Sequence, residues 1–232
     1  MTESDEILAI PLWINGHAYL TMAPAFFDVR DPRSGRVRRR TPLCGAAEAQ
    51  AAVASAGSAL PSWAARTMIE RAQLLTLVGD ALAGYASHFA HLIAEETGKP
   101  GEAAAAEVSD AVALLRTTSA DGGAAGGIVA VVSDDAAPLL GLLQPACPAL
   151  LAGATVVLKP SPKAPSAAFA LAELTARSGF PAGVVNVLHG DLAAIEGLCA
   201  ATAVSVLLFT GDPALGAAVR AIAAGHGKPF RG

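Results

Sequence analysis

Cysteine is scarce in this sequence, and its scarcity argues against two kinds of architecture. The three residues, Cys44, Cys147 and Cys199, are odd in number and lie far apart. A disulfide framework needs an even set, and a cysteine metal site needs short spacings between its ligands. No metal site is therefore predicted. We expect a reducing, cytoplasmic compartment, because the acidic N-terminal stretch MTESDEILAI also lacks a signal-peptide pattern.

Charge is sparse as well: 16% of the residues are charged, and the formal net charge is −4. This balance gives no reason to expect binding to nucleic acid or to an anionic membrane surface. The exception is a basic run from Arg30 to Arg40, which has Asp28 and Asp31 beside it. Because charge runs are usually solvated faces, the run is interpreted as a hairpin, with an anion site as the alternative.

Residues 136–158 carry no charge and approach the length of a membrane span. Three prolines and two glycines interrupt this run, and it ends in the strand-like TVVL. A buried helix followed by a buried strand is therefore predicted instead of a transmembrane helix.

What is abundant is a regular alternation of short β-branched runs with segments of helical length. The runs predict strands at 127–133, 154–159, 184–188 and 204–209, and the last helix is expected at about 213–225. This is the pattern of βαβ units on a parallel sheet. We predict an α/β fold: a partial Rossmann-type parallel sheet with helices on both faces, preceded by a β-hairpin and helical N-terminal region.

The N-terminal region reads as strands followed by helices. Residues 1–12 are expected to be a loose tail, and strands are predicted at 12–19, 26–31 and 37–43, with a turn at 32–35. Helices are predicted at about 46–66, 69–85, 87–97 and 102–116, the third ending at a Gly–Pro signal. The chain is predicted to be a single domain, 1–232, with hairpin and helices in 1–116 and the βαβ core in 127–232.

Read together, these segments resemble the aldehyde dehydrogenase superfamily. The resemblance is carried, in order, by LWINGHAY, FDVRDPRSGRV, LPSWA, ETGKP, GIVAVV, PALLAGATVVLKPSP, GFPAGVVNVLHG and LLFTGD. It covers nearly the whole chain but only about the first half of a typical family member. The chain ends at GKPFRG, just before the family's Glu-Leu-Gly-Gly stretch, so we expect a truncated N-terminal half that lacks the catalytic domain.

The resemblance implies a missing catalytic apparatus. Family members attack the aldehyde with a cysteine thiolate, pass hydride to NAD(P)+ and activate water with a glutamate. Both residues would lie beyond this chain, and the family's oxyanion-binding asparagine falls on Ala136, which has no donor. Cys147 and Cys199 lack basic neighbours and are interpreted as core residues. No catalytic residue is predicted.

The resemblance also implies an eroded cofactor site. The family's LKPSE contributes Lys and Glu to the adenosine ribose; Lys159 is retained, whereas Pro162 replaces the glutamate. Lys159 is either a vestigial ribose contact or a solvated strand end. Gly211 is retained from the family's FTGS, but Asp212 and Pro213 follow it as a strong N-cap and N1 pair, at the helix N-terminus where the pyrophosphate would sit. Lys159 and Gly211 are thus interpreted as vestigial cofactor-binding residues; no cofactor is expected, with weak NAD(P) binding as the alternative.

The sequence also differs from the family in a segment that family members use for oligomerisation. Only Thr117 to Gly126 separate the fourth helix from the first βαβ strand, too few for the family's oligomerisation arm. The last helix would leave a sheet edge or an apolar face uncovered. We expect a non-catalytic structural or regulatory partner of a full-length aldehyde dehydrogenase. The alternatives are a nucleotide-binding component of a split NAD(P)-dependent aldehyde oxidoreductase, and a decayed gene fragment.

Overall fold

A seven-stranded sheet runs through the centre of the molecule. The computed structural model describes residues 7–119 and 126–232. The strand order is β2-β1-β7-β6-β5-β8-β9, and β3 and β4 form a separate antiparallel pair. The strands are β1 (Leu12–Ile14), β2 (His17–Tyr19), β3 (Phe26–Arg30), β4 (Val37–Pro42), β5 (Ile128–Ser133), β6 (Thr155–Lys159), β7 (Val185–Val187), β8 (Val204–Thr210) and β9 (Phe230–Arg231).

Eight helices cover the two faces of this sheet in the described part of the chain. They are α1 (Ala46–Ala64), α2 (Met68–Gly84), α3 (Ala86–Thr97), α4 (Gly101–Thr117), α5 (Leu140–Leu151), α6 (Ser166–Arg177), α7 (Leu192–Ala200) and α8 (Pro213–Gly225). Along β5, Val129 and Val131 face a core formed largely by α2 to α6, whereas Ala130 and Val132 face α1, α7 and α8. Strand side chains alternate between faces, so both faces of β5 are buried.

The predicted fold class is confirmed. Strands β5, β6, β7 and β8 lie parallel to one another, within one or two residues of the predicted bounds. The uncharged run at 136–158 forms α5 and most of β6, as predicted. Among the described residues, no helix is long and apolar enough to cross a membrane.

One predicted strand is wrong. Residues 12–19 form two short strands joined at Asn15 and Gly16, whose φ angles are 56° and 77°. Asn-Gly supports this left-handed backbone, which matches the twist of a tight hairpin. The outcome is a hairpin whose first strand joins the main sheet through an antiparallel bridge between Trp13 and Val187.

The N-terminal tail is less loose than predicted, in so far as it is described. The N–H of Arg40 donates to the carbonyl of Leu8 at 3.1 Å, and the N–H of Ile10 donates to the carbonyl of Arg40 at 2.8 Å. Residues 8–10 therefore lie along β4. Residues 1–6, and residues 120–125 of the connector predicted to be too short for the family's arm, lie outside the described part.

The basic run belongs to the β3–β4 hairpin, as predicted, but ion pairs neutralise much of it. Arg39 pairs with Glu95 and, at 2.9 Å, with Glu96, while Arg38 contacts Asp31 at 3.1 Å. Because nearby carboxylates already pair with these guanidinium groups, the hairpin offers little free positive charge for an anion.

The sheet edge beyond β8 is only partly open. The sequence did not predict β9, which pairs in parallel with β8 at Leu207 and Leu208. The expected uncovered edge is thus corrected to an edge that is paired over two of the seven residues of β8.

Candidate functional site

Polar residues gather at the carboxyl ends of the central strands. Asp134 follows β5, Lys159 ends β6, His189 lies two residues beyond β7, and Gly211 follows β8. Strand β5 lies between β6 and β8, so the strands that follow it in the chain are added on both of its sides, towards opposite edges of the sheet. Crevices at such switch points are where open α/β sheets bind ligands.

Helix α8 begins at this edge, and Asp212 caps it as predicted. Its Oδ1 accepts hydrogen bonds from the N–H groups of Ala214 at 2.9 Å and Leu215 at 3.0 Å. Pro213 occupies the first helical turn, where the absence of an N–H is harmless. The carboxylate also complements the positive end of the helix dipole.

A second carboxylate reaches the same helix terminus from the β5 loop. Asp134 Oδ2 accepts a hydrogen bond from the N–H of Asp212 at 2.7 Å. The carboxyl group lies against Gly211, where an added Cβ would be 2.4 Å from Asp134 Cγ. Asp134 was not among the site residues predicted from the sequence. The only available signal was its position two residues before Ala136, in the loop that carries the family's oxyanion asparagine.

The neighbouring Asp135 connects this loop to the segment after β6. Its Oδ1 accepts a hydrogen bond from the Ser161 hydroxyl at 3.2 Å and lies 3.9 Å from Lys163 Nζ. The β5 loop therefore contacts both segments that the resemblance assigns to the cofactor, the one at Gly211 and the one following Lys159.

Lys159 is not a solvated strand end, so that alternative is wrong. Its side chain is buried, with 3% of the residue exposed, and Nζ donates to the carbonyl of Pro160 at 2.9 Å. Burial lowers the pKa of Lys159 to about 8, because the charged form is poorly solvated, and Asp191 partly opposes this. A ribose contact by Lys159 stays a prediction.

His189 is a buried residue that the sequence analysis missed. Its Nε2 lies 3.2 Å from the carbonyl of Pro11, which can only accept, so this nitrogen carries the proton. Burial lowers the pKa of His189 to about 3, and the ring is therefore neutral near pH 7. The contact ties the segment before β1 to the end of β7, which is a structural role.

The described residues at this edge offer no familiar catalytic set. Ala136 is exposed and presents only a methyl group where the resemblance places the oxyanion donor. All three cysteines are buried, and burial raises the pKa of Cys44 and of Cys147 to about 12. Such thiols are core residues, as predicted for Cys147 and Cys199, since a reactive cysteine needs an open, electropositive setting.

A nicotinamide dinucleotide, which the resemblance implies here, does not fit these residues. Its pyrophosphate would need free N–H groups at the start of α8 and open space above Gly211. The Asp212 N–H is bonded to Asp134, and Asp134 fills the space above the glycine. Two carboxylates would also repel the phosphates.

Comparison with known proteins places this fold in one family. A family model described as the aldehyde dehydrogenase family matches residues 21–130 and 122–231. Succinate-semialdehyde dehydrogenase [NADP(+)] GabD of Escherichia coli K12 is 33% identical over 210 residues, which is 82% of this chain and 44% of that protein. N-succinylglutamate 5-semialdehyde dehydrogenase of Chromohalobacter salexigens is 30% identical over 235 residues, 93% of this chain and 47% of that protein.

Solved structures give the same answer. Lactaldehyde dehydrogenase from Escherichia coli superposes with a TM-score of 0.87 at 28% identity, covering 97% of this chain and 51% of that chain. Aldehyde dehydrogenase C from Pseudomonas syringae, solved with NAD+ and octanal, gives 0.83 at 27% identity, covering 96% and 49%. The chain spans about half the length of the relatives that it matches. It belongs to the aldehyde dehydrogenase family.

Proposed function

We propose that this chain is a non-catalytic structural or regulatory partner of a complete aldehyde dehydrogenase. The observation that carries the proposal is the pair of carboxylates, Asp134 and Asp212, at the helix terminus where the family binds its cofactor. Ala136 supports it, because a methyl group replaces the oxyanion donor. The family fold is present, and the two positions that the resemblance assigns to cofactor and oxyanion binding carry residues unsuited to either task.

Surface features are consistent with a packing role. Leu20 and Met22 are 83% and 98% exposed, and Phe26 is 45% exposed, all within one short segment. On the side away from β5, strand β8 is paired with β9 at only two of its seven residues in the described part of the chain. Exposed apolar side chains and unpaired strand edges are features of protein-binding surfaces.

Native mass spectrometry of the tagged full chain, purified gently from its own host, tests this proposal. We expect a complex of fixed stoichiometry that contains a complete aldehyde dehydrogenase. An aldehyde oxidation assay on the purified chain alone should give no turnover with NAD+ or NADP+. A chain that stays monomeric when mixed with every complete family member of its own cell would refute the proposal.

A second candidate is a nucleotide-binding component of a split NAD(P)-dependent aldehyde oxidoreductase. The retained Lys159 and Gly211 favour it, as do relatives described with NADP(+) or NAD+. A calorimetric titration with both dinucleotides separates the two candidates, since this one requires binding. The third interpretation, a decayed gene fragment, predicts a broad thermal unfolding transition. A protein whose fold is maintained by natural selection should instead unfold cooperatively.

A further inference from the structure

We infer that Asp134 is a built-in anion: its carboxylate fills the position of a dinucleotide pyrophosphate at the start of α8 and, with Asp212, excludes that ligand. The proposed function rests on the same pair of carboxylates. The inference deepens it by assigning the exclusion of the cofactor to Asp134 and Asp212, and it does not depend on any partner.

Asp134 is held in this position from several directions. Its Oδ2 accepts from the Asp212 N–H at 2.7 Å, and its Oδ1 accepts from the Ala136 N–H at 2.9 Å. Its own N–H donates to the carbonyl of Thr210 at 3.3 Å. The carboxylate is therefore fixed between the end of β8 and its own loop, and it approaches the open face of Gly211.

The first turn of α8 has no N–H to spare. The N–H of Asp212 is bonded to Asp134, and those of Ala214 and Leu215 are bonded to Asp212. Pro213 has no N–H, and the N–H of Gly216 already donates to the carbonyl of Asp212 at 2.9 Å. Helix termini bind phosphate through free N–H groups, so an incoming pyrophosphate would have to displace both carboxylates.

Charge adds to this steric argument. A phosphate placed here would lie within a few ångströms of two carboxylates, and like charges at that separation repel. Each carboxylate removed from a helix N-terminus should therefore improve binding of an anion by up to about tenfold.

The test compares the full-length wild-type chain with Asp134→Ala and with Asp134→Ala/Asp212→Ser. Serine at 212 keeps an N-cap oxygen, so α8 remains capped. Asp135→Ala is the matched control, because it removes the same charge from the adjacent position, where the carboxylate contacts Ser161 and not α8. Isothermal titration with NAD+, NADP+ and inorganic pyrophosphate is run at one ionic strength, and circular dichroism verifies folding.

We expect no heat of binding from the wild type or from Asp135→Ala at millimolar ligand. The double variant should bind all three ligands at least about tenfold more tightly. Wild-type binding equal to that of the double variant would overturn the inference, and so would a folded double variant that binds no better than Asp135→Ala.

Two further results keep the test decisive. If the alanine variants do not fold, Asp134→Ser/Asp212→Ser removes both charges and shortens the side chain above Gly211 while it keeps a polar group in the β5 loop, and it should bind pyrophosphate more tightly than the wild type. Failure of that folded variant to do so would also refute the inference. A gain for NAD+ without a gain for pyrophosphate would show that Asp134 does not act at the anion position. None of these outcomes bears on the mass-spectrometric test of the proposed function.

Discussion

Arg71 should contribute more to stability than most single side chains in this chain. Its guanidinium is buried, with 8% of the residue exposed, and it donates hydrogen bonds to backbone carbonyls. The strongest bonds are to Arg66 at 2.5 Å and Leu151 at 2.8 Å, with longer ones to Ala64 at 3.3 Å and Trp63 at 3.4 Å. It thereby joins the carboxyl ends of α1 and α5, where the helix dipoles favour a cation.

The magnitude of an Arg71→Met change follows from these bonds. Leaving a buried acceptor without a partner costs about 1–3 kcal/mol, so the two short bonds together represent about 2–6 kcal/mol. Removing a buried charge recovers part of this, because the guanidinium is no longer desolvated. We expect a net loss of about 3 kcal/mol in the free energy of unfolding, a large share of the total stability of a domain.

Urea unfolding followed by circular dichroism measures this loss. Arg177→Met is the control, because Arg177 lies exposed in the last turn of α6, and we expect a change within about 0.5 kcal/mol. Arg71→Lys should fall between the two, since lysine keeps the charge but not the planar array of donors. An Arg71→Met variant within about 0.5 kcal/mol of the wild type would show that these carbonyls do not depend on the guanidinium.

Three further predictions address buried groups and the glycine at the site. Burial raises the pKa of Glu96 to about 7, above its unfolded value, so its contribution is fully present at acid pH and lost as the pH rises towards 7. In urea titrations, the free energy of unfolding of Glu96→Gln should therefore rise by about 2–3 kcal/mol relative to that of the wild type between pH 4 and pH 8. A difference between the two proteins that stays constant over this pH range would contradict the prediction. Burial raises the pKa of Cys44 and of Cys147 to about 12, so these thiols should react with a disulfide reagent at pH 8 only after the chain unfolds. Rapid labelling of the native chain would contradict this prediction. Gly211 has a φ of 144° and lies against Asp134, so Gly211→Ala should lower the free energy of unfolding by about 1–3 kcal/mol in thermal unfolding, and by less in an Asp134→Ala background. Equal losses in the two backgrounds would show that the two residues are not coupled.

The sheet could be predicted because its strands are buried on both faces. Runs such as those of β5 and β6 are rich in valine and are bounded by glycine or proline, and this pattern is local. Every residue of both strands is buried. The hairpin at Asn15 and Gly16 was missed although its signal is equally local, because hydrophobic alternation was given more weight than the turn residues.

The decisive contact at the site could not be read from local pattern. Asp134 and Asp212 are 78 positions apart, and they meet only because β5 and β8 are neighbours in the sheet. The sequence does show that Asp212 can cap a helix. It does not show that a second carboxylate takes the remaining N–H. The burial of Lys159 is likewise not evident from the local pattern of the sequence.

The replacements at this site are ones that the fold can accept and even benefit from. A helix terminus that binds phosphate must keep free N–H groups, and free polar groups do not stabilise a folded chain. Here Asp212, Pro213 and Asp134 leave none unsatisfied in the first turn of α8, and an N-cap aspartate stabilises a helix by about 1 kcal/mol. The valines of β5 and β6 remain packed as the fold requires. Carboxylates that stabilise α8 and occupy its N–H groups are what we expect if the scaffold is maintained for packing while ligand binding is not.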